Sequence, residues 1–347
     1  MSGGVDSSVA AALLVDSGYD VVGVTLHLWD YPNDTPVKSR CCAPEDIHDA
    51  RLVADCLGIP HYAFDRRELF NQHVVTPFVE SYLSGQTPSP CVWCNQSVKM
   101  RELFPLAERL GASAVATGHY ASIVAASDGA ELHRGRDRHK DQSYFLHMLR
   151  RDELERVLLP LGGLLKAEVR AIATERELPG ANKGESQELC FVASGRYPAF
   201  VEDRAKDGRI RPGAIVDGSG ARLGEHDGIH HFTVGQRRGL GVARSEPTFV
   251  NRIDADGTVV VGGSDEVLFA SATLVDGAFQ DDVTFPRRAT VKVRARHDAV
   301  PAELTGDADR LVVTFDDPVR AVALGQVAVA YDGDRVLGGA TIEAAHR

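Results

Sequence analysis

The chain has 347 residues, a length that predicts two or three domains, and its content of 44% hydrophobic and 25% charged residues is ordinary for a globular protein. No apolar run approaches the roughly 20 residues of a membrane span, and no signal-peptide pattern stands at the start, so we expect a cytoplasmic protein with no membrane partner. The formal net charge of −11 argues against binding nucleic acid over the whole surface but leaves room for local basic patches.

The first third of the chain alternates strand and helix patterns. "DVVGVTL" predicts a buried strand, "EDIHDARLVADCLG" an amphipathic helix, and "HYAFD" a second strand. Two helical stretches follow, around "ELFNQHVVTPFVESYL" and from Asn95 to Gly111, before the strand "SAVATGH". Strands that alternate with helices predict an α/β fold with a doubly wound parallel sheet, in which ligands bind at the carboxyl ends of the strands.

Beyond about residue 205 the helical pattern gives way to short alternating strands. Runs such as "TVVVGG", "RLVVTF" and "QVAVAY" are separated by turn signals. This pattern predicts a small central β domain followed by a β-barrel. We therefore divide the chain into an α/β domain at 1–204, a central β-rich domain at 205–275 and a C-terminal β-barrel at 276–347.

The segment "SGGVDSSVAAALL" combines a glycine-rich loop with the first turn of a helix. Glycines allow a ligand to approach the backbone, and N–H groups at a helix N-terminus favour anions such as phosphate. Because no lysine precedes the serine pair, the loop is not of the Walker type, and we expect it to hold pyrophosphate as a leaving group. A plain helix-capping turn is the alternative for a bare Ser-Gly-Gly. Only Met1 precedes this loop, so a strand that normally leads into it is either missing or lies upstream.

All six cysteines fall within the first 190 residues, which is unlike a secreted disulfide scaffold and favours catalytic, redox or metal use. Cys91 and Cys94 form a CxxC pair. A helix beginning near Asn95, with Lys99 close by, would place Cys94 at a helix N-terminus and stabilise its thiolate. Cys190 lies in a polar, glycine-containing segment that suits a reachable sulfur.

The sequence supports less specific predictions for the other cysteines and for metal binding. We expect Cys56 to be a small core residue on the buried face of its helix. Zinc is disfavoured because no second ligand pair completes a site. Three thiolates from Cys91, Cys94 and Cys190 could instead hold an iron–sulfur cluster. The adjacent pair Cys41 and Cys42 has no assigned role.

Basic residues cluster in three places of this acidic chain. The string "PRRATVKVRARH" places four cations at one parity, Arg288, Lys292, Arg294 and Arg296, and Val291, Val293 and Ala295 at the other, which on a strand would make a cationic stripe opposite an apolar face. Further clusters occur in "HRGRDRHKDQSYF" and "GQRRGLG". Taken by itself, the stripe could be a solvated face of the barrel. The three clusters together favour a surface that binds the phosphate backbone of a nucleic acid.

The loop resembles the PP-loop, "SGGxDSS", of the ATP pyrophosphatases, which activate a carbonyl oxygen with AMP and release pyrophosphate. Over nearly its whole length the chain resembles the bacterial tRNA-specific 2-thiouridylase family (MnmA/TrmU type). The resemblance rests on motifs that occur in the family's order: "MSGGVDSSVAA", "PSPCVWCN", "ATGHYA", "KDQSYFL", "ESQELCFV", "TVGQRRGLG" and "ALGQVAVAY".

The resemblance implies a PP-loop domain, a central β domain and a C-terminal barrel. It also implies that sulfur from a cysteine persulfide replaces the C2 oxygen of a wobble uridine after ATP has adenylated that oxygen. ATP with Mg²⁺, tRNA and a sulfur-donor protein are the implied cofactors and partners, and we expect a monomer.

The resemblance also assigns residues. Cys94 would be the nucleophile and Cys190 the persulfide carrier, with Asp6 counted among the catalytic residues. Nucleotide contacts fall on Ser2, Gly3, Gly4, Val5, Asp6, Ser7, Ser8, Leu26 and Gly118. Contacts with tRNA fall on His119, Lys140, Asp141, Gln142, Arg294 and Gln326, with Ser89, Pro90 and Cys91 beside the target base.

Two positions depart from the family pattern. Many members carry Asp where this chain has Cys91, which keeps the cluster alternative open, and Ala295 replaces an aromatic residue that often follows the barrel arginine. Two other functions are alternatives. One is another PP-loop ATP-dependent ligase acting on a small carboxylate, which has no use for the thiols. The other is a non-catalytic RNA-binding module, which does not need the loop.

Overall fold

The first half of the computed structural model is built of short parallel strand pairs and helices. The structure describes residues 1–30, 44–181, 183–184, 189–192, 197–206, 208–242 and 246–347, so Cys41 and Cys42 lie outside the described residues. Its α-helices are α1 Val5–Asp16, α2 Pro44–Leu57, α3 Arg67–Phe70, α4 Thr76–Leu83, α5 Pro90–Cys94, α6 Arg101–Leu110, α7 Arg151–Leu154, α8 Lys166–Glu175 and α9 Tyr197–Glu202. Asn71–Val75 and Asn95–Met100 are π-helical.

The strands are short in the first half and longer towards the C-terminus. They are β1 Gly23–His27, β2 His61–Asp65, β3 Val115–Ala116, β4 Ala121–Ala126, β5 Gly129–Arg134, β6 Val157–Leu158, β7 Gly213–Val216, β8 Arg222–His226, β9 Phe249–Ile253, β10 Val259–Gly262, β11 Leu268–Phe279, β12 Arg287–Lys292, β13 Val300–Gly306, β14 Arg310–Arg320, β15 Val327–Asp332 and β16 Arg335–His346. Among the described residues, no helix combines the length and apolarity needed to cross a bilayer.

The chain divides into two units, Met1–Val74 with Cys91–Gly195 and Asp334–Val336, and Val75–Pro90 with Arg196–Gly333 and Leu337–Arg347. In the first unit β1 pairs in parallel with β2, and β3 with β6, while β4 and β5 form an antiparallel hairpin. The strand predicted from "SAVATGH" is thus reduced to two residues, and the parallel strands occur as separate pairs. Met1 hydrogen-bonds beside β1: its N-terminus donates to the Val24 carbonyl, and Thr25 Oγ1 donates to the Met1 carbonyl at 2.7 Å.

Helix α1 packs within a hydrophobic cluster of the first unit. Its small apolar residues, including Val9 and Ala12, are fully buried and pack with Val169 and Ala173 of α8. In α2, Val53 and Ala54 face the core, whereas Cys56 is exposed, so the prediction of a core role for Cys56 is wrong. The reason is the helical period, since Cys56 follows Ala54 by about 200° around the axis.

The second unit contains a four-stranded sheet, in the order β8-β7-β10-β9, and a six-stranded barrel. The barrel runs β11-β14-β13-β12-β15-β16 and closes by pairing β11 with β16. Its interior is filled by alternating apolar side chains, among them Val291, Val313 and Leu304. Strand β11 begins at Leu268, so it spans the expected boundary at residue 275.

Candidate active site

The loop before α1 is stabilised by hydrogen bonds between its serine hydroxyls and its own backbone. Gly4 caps the helix, and its carbonyl accepts hydrogen bonds from Ser7 Oγ and Ser8 Oγ, both at 3.0 Å. The Ser2 N–H donates to Ser7 Oγ at 3.1 Å. The predicted phosphate loop is therefore a preorganised turn at the N-terminus of a 12-residue helix, the arrangement that favours an anion.

Two glycines bring other backbone segments against this loop. Gly3 has φ +67°, and a Cβ there would lie 2.4 Å from the carbonyl oxygen of Asp46 in α2. A Cβ on Gly118 would lie 2.8 Å from the Asp6 carbonyl carbon and 2.9 Å from the Ser7 nitrogen. The structure thus places Gly118 directly on the loop, beside the predicted nucleotide contacts, and leaves no space for a larger residue.

The Asp6 carboxylate accepts hydrogen bonds from a lysine and a tyrosine. Lys166 Nζ donates to Asp6 Oδ1 at 2.6 Å, and the Tyr120 hydroxyl donates to the same oxygen at 2.7 Å. The Lys166 ammonium also lies 5.6 Å from the Tyr120 ring centroid. A positive charge is therefore held next to the loop. Sequence reasoning missed Lys166, because a single lysine at the start of a helix carries no local signal.

A second lysine that the sequence did not single out approaches the loop from the segment before Cys190. Lys183 Nζ donates to Asp46 Oδ1 at 2.8 Å and to the Gly3 carbonyl at 3.3 Å, and it also pairs with Asp49. Burial alone would lower the pKa of Lys183, but the hydrogen bonds to Asp46 and Asp49 outweigh burial and raise it. Lys183 is therefore a charged ammonium that joins α2 to the loop.

The residue after Cys190 anchors its segment by aromatic packing. The Phe191 ring lies 5.5 Å from that of Phe70 and 6.2 Å from that of Trp29, centroid to centroid. Trp29 follows shortly after β1, so this anchor lies at the carboxyl end of a parallel strand, where ligands bind in α/β folds. Cys190 itself is partly exposed, and Leu26 within β1 is buried.

Cys94 lies inside a helix and not at a helix N-terminus. Helical structure begins at Pro90, so the expectation of a helix starting near Asn95 is wrong by about one turn, and Cys91 occupies the first turn instead. The reason is that proline is well tolerated at the first helical position. Cys94 is 7% exposed and Cys91 is exposed. Any stabilisation of a thiolate by the helix dipole therefore favours position 91 over position 94.

Asn95, which follows Cys94, is buried with one half of its amide unsatisfied. Its Nδ2 donates to the Phe145 carbonyl at 3.0 Å, whereas Oδ1 has no hydrogen-bond partner among the described residues. Asn95 also begins the π-helical turn. Such turns are frequent at functional sites.

The residues predicted to contact tRNA in the first unit form a hydrogen-bonded loop. Asp141 Oδ1 accepts from the N–H groups of Gly135 and Ser143, each at 3.1 Å, and Gln142 Oε1 accepts from the Tyr120 N–H at 3.0 Å. These side chains fix the turn that carries Lys140.

The surroundings of His119 favour its neutral form. Its Nδ1 lies 2.8 Å from Thr117 Oγ1, and burial, together with the charge of Lys99, lowers the pKa of His119 to about 3. A neutral imidazole offers a hydrogen bond, and not a charge, to a nucleic acid.

In the second unit, Gln326 holds the turn that precedes Ser89 and Pro90. Its Nε2 donates to the Thr87 carbonyl at 3.1 Å and to the Pro88 carbonyl at 2.8 Å. The structure thus brings Gln326 together with the segment predicted to border the target base, although Gln326 is itself engaged in holding that segment.

The cationic stripe is only partly present. Val291 and Val293 are buried as predicted, but β12 ends at Lys292, so Arg294 follows the strand in a bend, and Arg288 is paired with Asp316. The prediction of a continuous stripe is wrong in part, because sequence alternation cannot show where a strand ends or which distant acidic residue neutralises a cation.

The other two basic clusters differ from each other in whether acidic residues neutralise their arginines. Arg136 and Arg138 are paired with Glu168 and Asp334. Arg237 and Arg238 are exposed, and the described residues contain no acid paired with either.

A glycine-rich anion loop at a helix N-terminus, two lysines beside it, and a cysteine segment at a strand's carboxyl end define the class of PP-loop nucleotide-using enzymes. Comparison with known families agrees: a tRNA methyl transferase HUP domain model matches residues 1–194, a tRNA methyl transferase PRC-barrel domain model residues 199–263, and an aminomethyltransferase beta-barrel domain model residues 273–342.

Similar proteins include the tRNA-specific 2-thiouridylase MnmA of Sorangium cellulosum, which is 64% identical over 355 residues and aligns with 100% of this chain and 92% of that protein. The proteins of the same name from Geobacter metallireducens and Hyphomonas neptunium are 46% and 45% identical, each over 99% of this chain and over 96% and 89% of their own lengths. The chain belongs to the tRNA-specific 2-thiouridylase family. A solved NMN synthetase from Francisella tularensis, at 19% identity and a TM-score of 0.29, covers 60% of this chain and 77% of its own and supports no conclusion.

Proposed function

We propose that this chain is a tRNA-uridine 2-sulfurtransferase that uses ATP to replace the C2 oxygen of a wobble uridine with sulfur. The observation that carries the proposal is that the glycine-rich loop before α1, Cys94 and Cys190 all belong to the first unit. Nucleotide chemistry and sulfur chemistry are thereby linked within one unit. The names of the full-length relatives support the same reaction and do not favour the alternatives of a cluster-dependent thiolase or another PP-loop ligase.

ATP is the activating substrate in this proposal. The N–H groups and hydroxyls of the loop, from Ser2 to Ser8, bind the phosphates, and Leu26 and Gly118 border the nucleotide. Lys166 supplies positive charge where pyrophosphate leaves, since a triphosphate competes with Asp6 for its ammonium. Mg²⁺ would accompany ATP, and the carboxylates of Asp46 and Asp49 are oxygen ligands of the kind this ion takes.

Adenylation turns a poor leaving group into a good one. The C2 oxygen attacks the α-phosphorus, the bond to the β-phosphate oxygen breaks, and pyrophosphate departs. The terminal sulfur of a Cys190 persulfide then forms a bond to C2, and AMP leaves with the original oxygen. Cys94 thiolate attacks Cys190 sulfur, so the S–S bond of the persulfide breaks and the thiouridine is released.

This sequence of steps leaves a disulfide between Cys94 and Cys190. A thiol reductant must supply two electrons and two protons before the next turnover, and a sulfur-donor protein must reload Cys190. The step requires the buried Cys94 and the partly exposed Cys190 to meet, both being in the same unit. No step requires an iron–sulfur cluster.

For tRNA, we propose two contact regions. One is the loop carrying Lys140, Asp141 and Gln142 with the neutral His119, and the other is the barrel region with Arg294 and Gln326. Ser89, Pro90 and Cys91 border the target base in this proposal. We further propose that the chain acts as a monomer with domains at 1–204, 205–275 and 276–347.

The test is nucleoside analysis of tRNA after incubation with ATP and a sulfur source, combined with pyrophosphate release measured with and without tRNA. We expect 2-thiouridine to form and pyrophosphate release to require tRNA. Cys94→Ser and Cys190→Ser should each abolish thiolation, while Cys56→Ser, a change at an exposed position, should not. Pyrophosphate release that ignores tRNA but responds to a small carboxylate would instead identify a ligase, and activity proportional to bound iron would identify the cluster enzyme.

A further inference from the structure

Three side chains with metal-ligand atoms converge in the second unit, whose residues include no cysteine. Glu202 is the last residue of α9, and His230 and His231 end a 3₁₀ turn, Ile229–His231. Glu202 Oε1 lies 3.1 Å from His230 Nε2 and 3.3 Å from His231 Nε2, and the three ligand atoms all lie within 4.8 Å of one another.

These separations fit three ligands of one metal ion. Donor atoms held about 2.0–2.1 Å from a zinc ion in tetrahedral geometry are about 3.3 Å apart. Two imidazoles and one carboxylate are also a donor set that zinc and similar transition metals accept in proteins, with water completing the coordination.

His230 is the buried and closely packed member of the group. His230 is 1% exposed, and the backbone at Gly228 packs against its ring so closely that a Cβ there would lie 2.4 Å from the ring carbon Cε1. The side chains of Glu202 and His231 are 45% and 37% exposed, so an ion can reach them from solvent. The Asp227 carboxylate interacts electrostatically with His231 and adds negative charge near a bound cation.

We propose that Glu202, His230 and His231 form a binding site for a divalent transition metal of the zinc class. The ion would tie α9 to the 3₁₀ turn of the central β region and so stabilise this part of the second unit. The site is separate from the proposed sulfur-transfer chemistry, because none of the three residues takes part in it. The alternative is a metal-free cluster in which both imidazoles donate to one carboxylate oxygen.

The test uses the full chain after chelation and dialysis, titrated with Zn²⁺ and then with Co²⁺ as a spectroscopic probe. We expect one tightly bound ion, a higher melting temperature on binding, and a Co²⁺ spectrum without thiolate charge-transfer bands. Glu202→Gln and His231→Gln, both at partly exposed positions, should each weaken binding by about tenfold or more, while His73→Gln should leave it unchanged.

Two results would overturn the proposal. One is a binding isotherm that the Glu202 and His231 variants share with the parent chain. The other is a Co²⁺ spectrum dominated by thiolate bands, which would place the ion on the cysteines of the first unit. Neither readout depends on thiolation activity, so this site and the proposed function succeed or fail separately.

Discussion

Replacing Gly118 with alanine tests whether the first loop is the nucleotide site. The added Cβ would meet the Asp6 carbonyl carbon at 2.8 Å and the Ser7 nitrogen at 2.9 Å. Ordinary van der Waals contact begins near 3.4 Å, so either the loop or residue 118 must move by roughly half an ångström. A side-chain rotation cannot relieve the clash, because both neighbouring atoms belong to the backbone of α1. Overpacking of this kind costs about 1–3 kcal/mol.

The displacement should act on ATP more than on tRNA. A loop moved by a fraction of an ångström loses alignment with the phosphates, and misplacement on the 1 Å scale costs about 100-fold in rate, or about 2.7 kcal/mol. We expect Gly118→Ala to lower kcat/KM for ATP by about 10- to 100-fold in tRNA-dependent pyrophosphate release, with tRNA affinity unchanged.

Gly163→Ala is the matched control. A Cβ at Gly163 meets nothing within 4 Å, and the residue has no left-handed backbone conformation. Melting temperatures of both variants separate a local effect from unfolding. If Gly118→Ala folds and uses ATP as well as Gly163→Ala does, the loop is not where the nucleotide binds.

Two further predictions concern pH and tRNA. Burial lowers the pKa of His147 to about 4, so the folded chain binds its proton less readily than the unfolded chain. The unfolding free energy should therefore fall as pH drops from 7 to 4, and His147→Asn should remove up to ~3 kcal/mol of that dependence in denaturant titrations; an unchanged slope would refute this. Replacing exposed Arg237 and Arg238 by alanine should weaken tRNA binding and reduce the salt slope by about 1.5, whereas Arg288→Ala, whose charge is already paired, should not. Equal losses in the two proteins would contradict the prediction that the exposed Arg237 and Arg238 contact tRNA phosphates.

The sequence predicted local features of the site well. The glycine-rich loop before α1, the strand "HYAFD" and the helix around "EDIHDARLVADCLG" depend on glycine placement and periodicity, which are properties of neighbouring residues. The family models and relatives confirm the α/β domain followed by β domains. Which residues hold the nucleotide and the tRNA stays a prediction.

The missed lysines and the misjudged Arg288 share one physical cause, which is that long-range contacts leave no local pattern. Lys166 and Lys183 reach the loop from far along the chain, so neither could be found by spacing. Arg288 looked available because its partner Asp316 lies on another strand. The helix start at Pro90 is different in kind, since a proline can begin a helix as well as interrupt one.

The most direct test of sulfur transfer is a single turnover. The chain is loaded with persulfide at Cys190, mixed with ATP and tRNA without added reductant, and digested for peptide mapping by mass spectrometry. The account predicts one 2-thiouridine per loaded chain, accompanied by an equal amount of a disulfide joining Cys94 to Cys190. Full product formation with both cysteines still separately alkylatable would contradict it.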